Sequence, residues 1–241
     1  MIIFVKLLLA HLIGDFILQP NSWVADKENK AHRSPYLYLH TLLHGILAFI
    51  VIGKTDFLGY TLALALSHGF IDFLKLRFQK KKTKRNWFVF DQILHLMVII
   101  VIAFLYDDSL MLDFSPIGEH FWVLGTALIL LTKPTSIIIK NIISIWTPES
   151  KNDKTDDSLQ NAGNYIGILE RLFIFYFMIT GHLEAIGFLL AAKSIFRFGD
   201  LKEAKDRKLT EYVLIGTLLS FGIAFLVGLL CNYLLLFLKI A

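Results

Sequence analysis

The stretch HLIGDFILQ, residues 11–19, places a histidine and an aspartate inside an otherwise apolar segment. It closes an apolar run over 2–19, which is about as long as the ~20 residues that a membrane-spanning helix needs. A charged side chain within a membrane costs about 2.5–3.5 kcal/mol on insertion scales, so such residues mark functional sites. Residues His11 and Asp15 are four positions apart, and a helix places them one turn apart on one face. The stretch therefore predicts a membrane helix that carries a polar site.

The rest of the chain has the same apolar character. Of its 241 residues 56% are hydrophobic, above the roughly 45–50% that is ordinary for soluble proteins. We therefore predict an all-α, polytopic integral membrane protein with about eight transmembrane helices. The apolar runs cover residues 2–19, 36–52, 57–74, 88–106, 119–146, 164–180, 184–198 and 211–238.

Breaks between the apolar runs predict four parts. Lys133-Pro134 interrupts the fifth run, and a hydrophilic stretch, PESKNDKTDDSLQNAG, separates the two halves of the chain. The predicted parts are a four-helix transmembrane bundle with a His/Asp layer at 1–112, a kinked or interfacial helix at 113–147, a hydrophilic linker at 148–163 and a C-terminal transmembrane extension at 164–241.

Basic residues indicate the orientation in the membrane. The loop KLRFQKKKTKR, residues 75–85, carries seven basic residues and no acidic one, and such loops stay in the cytoplasm. We predict a multi-pass protein of a bacterial inner membrane with this loop inside and both termini outside. Because Phe78 is the single aromatic residue of the loop, the loop indicates contact with anionic lipid headgroups rather than with nucleic acid.

Each of the first four spans contains two ionisable residues that are four positions apart. The pairs lie near the end of the first and third spans and near the start of the second and fourth. Because consecutive spans run antiparallel, all four pairs fall at one depth, on the side of the basic loop. The pairs are His11/Asp15, His40/His44, His68/Asp72 and Asp91/His95.

Five imidazoles and three carboxylates predict a site for a divalent transition metal near the cytoplasmic face. Zn²⁺ fits best, with Fe²⁺ or Mn²⁺ as alternatives, because Mg²⁺ and Ca²⁺ prefer oxygen ligands. Eight candidate ligands exceed the four of a tetrahedral zinc ion, so they indicate either two ions or one ion with supporting aspartates. The lone Cys231 excludes a zinc site built from cysteines.

Three aspartates and two glutamines have further predicted roles at this site. An aspartate that does not bind the metal would be the catalytic general base, and the candidates are Asp15, Asp72 and Asp91. Gln19 and Gln92 lie within about one helical turn of a predicted ligand, and we assign them supporting roles.

The second half of the chain also places ionisable residues in apolar runs. Arg171, Lys193 and Arg197 collect at the cytoplasmic side of the antiparallel arrangement, where we expect them to bind a phosphate or carboxylate headgroup. Simple extension of Lys193 and Arg197 to the interface is the alternative. Glu170 is a supporting residue, and we expect Glu170 and Arg171 to pair with other helices.

Short motifs connect the chain to a known family. HLIGDFILQ, HTLLHG, SHGFIDFLK and FDQILH resemble a bacterial membrane family designated domain of unknown function 3307, over roughly residues 1–110. GILERL, AAKSIFRF and EYVLIGTLLSFG are similar to the C-terminal extension of its longer members. That family implies no activity. The HxxxD pattern also resembles the membrane-bound metal-dependent hydrolases, which implies hydrolysis.

These observations predict a membrane-embedded metal-dependent hydrolase that acts on a lipid or another amphiphile near the cytoplasmic interface. One alternative is a di-iron histidine-box oxidase or hydroxylase, although the sequence lacks the HxxHH cluster of those enzymes. A second alternative is a transporter of metal ions or protons, although the outer halves of the first four spans are apolar. The third is a structural polar layer that only holds helices together.

Overall fold

The structure of this chain is a computed structural model. It describes the backbone of residues 2–106, 118–146, 157–201 and 207–240, and the side chains of residues 2–106, 118–146, 162–195 and 211–238. Within these residues all regular structure is helical. The helices are α1 (Ile2–Leu12), α2 (Asn21–Lys30), α3 (Pro35–Ile52), α4 (Leu58–Phe78), α5 (Lys84–Leu105), α6 (Glu119–Leu130), α7 (Lys133–Ile143), α8 (Asp157–Thr180), α9 (Leu183–Leu201) and α10 (Arg207–Ile240).

Six helical segments in the described part of the chain are long and apolar enough to cross a membrane. The number rises to seven if the bent pair Ile2–Ile17 and Asn21–Arg33 counts as one span. The predicted all-helical architecture with several membrane-length helices is thus confirmed, whereas the count of eight spans and the four-helix bundle are not.

The chain divides into two compact units, Met1–Thr126 and Ala127–Ala241. Helix α8 begins at Asp157, inside the stretch predicted as a linker, and residues 107–117 and 147–156 of the predicted boundaries lie outside the described residues. The finer division into four parts stays a prediction.

In the first unit, proline and glycine decide where the helices begin and end. The first helix continues from α1 into a π-helical turn, Ile13–Ile17, and stops before Pro20, after which the chain turns by 81° into α2. Helix α3 has Pro35 in its first turn, where the missing N–H costs nothing, and ends at Gly53 with φ 71°. The short polar helix α2 therefore lies nearly perpendicular to α1.

Helices α1, α3, α4 and α5 pack together and divide the first unit into two different ends. One end is apolar, with Leu7, Ala48, Phe57, Leu64 and Ile99 buried in one cluster. The polar pairs lie at the other end, near the C-termini of α1 and α4 and the N-terminal halves of α3 and α5. The fold thereby collects the ionisable residues in one layer.

Glycines permit close helix contacts in that layer. A Cβ atom at Gly14 would lie 2.5 Å from Cε1 and 2.6 Å from Nε2 of His44, and a Cβ at Gly69 would lie 2.5 Å from Oγ1 of Thr41. No side chain fits at such distances without displacement of its neighbour. The imidazole of His44 therefore occupies the space that the missing side chain of Gly14 leaves.

In the second unit, one buried arginine stabilises a helix break. Pro134 has no N–H for the Leu130 carbonyl, which accepts from Thr135 Oγ1 instead, and the regular hydrogen bonding breaks between α6 and α7. A free carbonyl in an apolar environment is costly. Arg171, on α8, donates from Nε to the Leu131 carbonyl at 2.7 Å and from Nη2 to the Thr132 carbonyl at 3.2 Å. The same guanidinium donates to Ser136 and Ser220. Arg171 thus connects α7, α8 and α10.

We expect Gly14→Ala to displace the His44 imidazole and to lower stability by about 1–3 kcal/mol, the usual cost of overpacking. Thermal unfolding of the purified protein in detergent, followed by circular dichroism, would measure the change. Gly59→Ala is the matched control, because a Cβ at Gly59 meets nothing within 4 Å. Equal stability of the Gly14 variant and wild type would contradict the close contact.

Candidate metal centre

The structure brings the eight residues of the four pairs into one cluster inside the first unit. Asp15 has a side-chain exposure of 12%, and the other seven residues are buried. Asp15 lies in the π-helical turn, and such turns occur frequently at functional sites because they change the direction in which a side chain points. The four i,i+4 pairs thus form one polar centre.

The carboxylate of Asp15 lies at the middle of this cluster. Its Oδ1 atom is 3.0 Å from Nε2 of His44, 3.1 Å from Nε2 of His40 and 3.5 Å from Nε2 of His68. Its Oδ2 atom is 3.7 Å from Nε2 of His11. Four imidazoles from three helices therefore direct the same ring nitrogen towards one carboxylate.

Three overlapping groups of side chains have the composition of a metal site. In each group the potential ligand atoms lie within 4.8 Å of one another. Zinc binds nitrogen and oxygen ligands at about 2.0–2.2 Å, so two ligand atoms of one ion lie at most about 4.4 Å apart, slightly closer than the limit of these groups. The groups are His11/Asp15/His44/His68, His40/His68/Asp72 and Asp72/Asp91/His95.

Some buried polar atoms of the centre have no hydrogen-bond partner among the described residues. They include both ring nitrogens of His95, Nδ1 of His40 and Oδ1 of Asp91. His95 Nδ1 lies 3.7 Å from Asp91 Oδ1, too far for a hydrogen bond. Because buried polar groups in native proteins are nearly always paired, these atoms fit a bound ion or water.

Two lysines belong to the centre, although the sequence analysis did not include them. Lys27 Nζ lies 2.7 Å from Oδ2 of Asp72, and Lys75 Nζ lies 2.7 Å from Oδ2 of Asp91. Lys27 comes from the polar helix α2, outside any long apolar run, and Lys75 belongs to the basic run at 75–85. The position of Lys75, three residues after Asp72 on one helix, was the available sequence signal.

The predicted supporting glutamines have different environments. Gln92 Nε2 donates to Oδ2 of Asp15 at 3.1 Å and lies 3.3 Å from Oδ2 of Asp91, while Gln92 Oε1 is 3.4 Å from His11 Nε2. Gln92 therefore joins two of the aspartates. Nε2 of Gln19 is buried and has no hydrogen-bond partner within the described residues.

The predicted headgroup-binding residues lie in the second unit and already have polar partners. Lys193 Nζ is 2.5 Å from Oε2 of Glu170, so Glu170 pairs with another helix. The guanidinium of Arg171 is buried and donates to backbone and serine oxygens. The side chain of Arg197 lies outside the described residues. Headgroup binding by these residues stays a prediction.

We expect Lys27→Met to lower the free energy of unfolding by about 3–5 kcal/mol, because it leaves the buried Asp72 carboxylate without its cation. The double variant Lys27→Met/Asp72→Leu should recover most of this loss, since it removes both charges. Lys30→Met is the control on the same helix, because Lys30 keeps 57% of its side chain exposed where it pairs with Asp26. Thermal unfolding in detergent would measure the three variants, and a double variant no more stable than Lys27→Met would contradict the pairing.

Comparison with known proteins identifies the family of the first unit. Residues 3–121 match the family described as "Protein of unknown function (DUF3307)". No curated protein and no solved structure matched the chain, so the likeness to membrane-bound metal-dependent hydrolases has no support. The matched range contains all eight residues of the polar centre and both lysines. Through this N-terminal half the chain belongs to the DUF3307 family, and residues 122–241 extend it.

Proposed function

We propose that the first unit is a membrane-embedded hydrolase that holds one divalent transition metal ion and acts on a lipid or another amphiphile. The main observation in support is that imidazole nitrogens from three helices converge on the Asp15 carboxylate. His11, Asp15, His44 and His68 would hold the ion, because they form the only group of four among the three candidate groups in the described part of the chain. Zn²⁺ fits these ligands best, with Fe²⁺ or Mn²⁺ as alternatives.

The charges of the centre favour one ion over two. Asp15, Asp72 and Asp91 contribute three negative charges, and Lys27 and Lys75 contribute two positive charges. With neutral imidazoles the centre has a net charge of −1, which one divalent ion changes to +1 and two ions would change to +3. A buried charge of +3 would be strongly unfavourable in an apolar environment. This argument also disfavours the di-iron alternative.

Asp91 is the best candidate for the general base. Its Oδ2 atom binds Lys75 and Gln92, whereas its Oδ1 atom is buried, faces His95 and has no hydrogen-bond partner among the described residues. The ion would lower the pKa of a bound water and polarise the bond to be broken. Asp91 Oδ1 would accept the proton, with Lys75 and Gln92 fixing the carboxylate plane. Asp15 and Asp72 are otherwise engaged, by imidazoles and by Lys27.

The apolar end of the first unit supports hydrolysis over transport. A transporter needs polar groups that lead to both sides of the membrane. Beyond the polar centre, the same four helices pack Leu7, Ala48, Leu64 and Ile99 against one another. This core would close the path of an ion.

We place the centre near the cytoplasmic face of a bacterial inner membrane. Helix α4 ends at Phe78 and α5 begins at Lys84, so the basic turn between them adjoins the helix ends that carry Asp72 and Asp91. Basic segments of this kind remain inside the cell. Fractionation of cells with an accessibility test of cysteines introduced into this turn would check the placement.

Metal content tests the proposal first. We expect about one equivalent of Zn, Fe or Mn in protein purified in detergent, measured by inductively coupled plasma mass spectrometry, as a four-ligand site predicts. His44→Ala should lose the metal, because it removes one of the four ligands. His182→Ala is the matched control, since His182 is exposed and belongs to the second unit. Absence of metal after incubation with Zn²⁺, Fe²⁺ and Mn²⁺ would overturn the proposal.

Turnover tests the role of Asp91. Chromogenic fatty-acyl and phosphate esters in mixed micelles would serve as probes. We expect Asp91→Asn to lower turnover by roughly 10²–10⁴, the usual contribution of a general base, with the metal retained. Asp56→Asn is the control, because Asp56 accepts a hydrogen bond from Tyr106 at the apolar end. Equal turnover with and without metal would refute the metal-dependent mechanism.

A further inference from the structure

An apolar groove runs along the outer seam of α4 and α5. It encloses about 440 Å³ and opens outward between Ser67, Phe70 and Leu74 on α4 and Leu94, Met97 and Val101 on α5. A smaller cavity of about 130 Å³ continues it and shares Ile71, Leu74 and Leu94 with it. The two cavities thus adjoin each other along the α4–α5 seam, and the smaller one reaches Asp91 of the polar centre.

The end of this groove near the α4–α5 turn adjoins an ion pair. Lys75, Trp87 and Asp91 line the smaller cavity, and Lys75 keeps 23% of its side chain exposed whereas Asp91 keeps 1%. Lys75 is therefore the more accessible partner of the ion pair. A molecule in the apolar groove reaches the side chain of Lys75 before it reaches the carboxylate.

The length of the groove fits one acyl chain. The lining residues on α4 run from Ser67 to Lys75 and on to Phe78. At 1.5 Å per residue the eight steps from Ser67 to Lys75 span about 12 Å. Half of the hydrocarbon thickness of a bilayer, roughly 30 Å in total, is about 15 Å. An acyl chain of one leaflet is therefore long enough to fill the groove as far as Lys75.

We propose that the α4–α5 groove binds one acyl chain of an anionic phospholipid and that Lys75 binds its phosphate. The basic run at 75–85, which adjoins this end of the groove, favours an anion at this position. A phosphate at this position would share the Lys75 ammonium with Asp91. As a substrate site, the groove rests on the proposed function and defines its substrate class.

Photo-crosslinking tests the groove without any need for turnover. The probes are phosphatidylglycerol and phosphatidylcholine that carry the same diazirine-bearing acyl chains, and mass spectrometry identifies the labelled peptides. We expect wild type to be labelled within 67–78 and 87–102, and to be labelled about tenfold more by the anionic probe, as for the gain of one charged hydrogen bond. Equal labelling by both probes would overturn the role of Lys75.

Two pairs of variants separate the acyl chain from the headgroup. Val101→Trp fills the groove and should lower labelling about tenfold. Ile100→Trp should not, because Ile100 is exposed on the same helix but does not line the groove. Lys75→Gln should abolish the preference for phosphatidylglycerol, and Lys75→Arg should restore it, which also shows that the site is folded. Labelling that Val101→Trp leaves unchanged would overturn the groove.

The outcomes distinguish this inference from the proposed function. A wild-type protein that is labelled in the groove with the expected preference, but holds no metal and hydrolyses no probe, contradicts the hydrolase and leaves the lipid site. A protein that hydrolyses the probes with its metal, but shows equal labelling by the two lipids, contradicts the lipid site and leaves the hydrolase.

Discussion

The burial of three carboxylates between apolar helices is the constraint on which the first unit depends. A carboxylate in such an environment is unfavourable unless cations or hydrogen-bond donors surround it. Asp72 and Asp91 each receive a lysine ammonium at 2.7 Å, whereas Asp15 receives imidazole nitrogens. Because each partner comes from a different part of the chain, the pairing also fixes how α1, α2, α3, α4 and α5 meet.

The irregular parts of the backbone follow from this requirement. A straight first helix would continue past residue 19 along its axis, and it would not place Lys27 beside Asp72. The stop before Pro20 and the 81° turn return α2 to the cluster, so that Lys27 reaches Asp72. The π-helical turn positions Asp15, and Gly14 leaves the space that the His44 imidazole fills. Backbone features that look like defects in a membrane helix therefore serve the polar centre.

The sequence predicted the cluster better than it predicted the compensation of its charges. The spacing of four within a helix and the antiparallel order of consecutive helices can be read from the sequence. They were sufficient to predict that His11, His44 and His95 lie in one layer. Lys27 was missed because hydropathy divides the chain into spans and loops, and a short polar helix that contacts the spans belongs to neither class. The same limitation explains the span count. Helix α9 is not among the six helices that are long and apolar enough to cross a membrane, and the apolar run at 2–19 did not reveal the bend that follows it.

For Arg171 the sequence predicted a partner on another helix but not the kind of partner. The partners include backbone carbonyls because the helix breaks just before Pro134.

The three aspartates show how one residue type acquires different roles in one site. Asp15 has imidazoles around both carboxylate oxygens, which suits a metal ligand. Asp72 is buried against a buried lysine, and an ion pair of this kind is costly to open, so Asp72 is suited to balance charge. Asp91 shares its lysine with a cavity and keeps one oxygen without a hydrogen-bond partner among the described residues, so its ion pair is the more accessible of the two. Proteins assign acid, base and ligand roles to chemically identical groups of one centre by giving each group a different environment. Lys27 is buried whereas Lys75 is partly exposed. This difference between the two lysines, rather than any difference between the aspartates themselves, therefore makes one ion pair of the centre more accessible than the other.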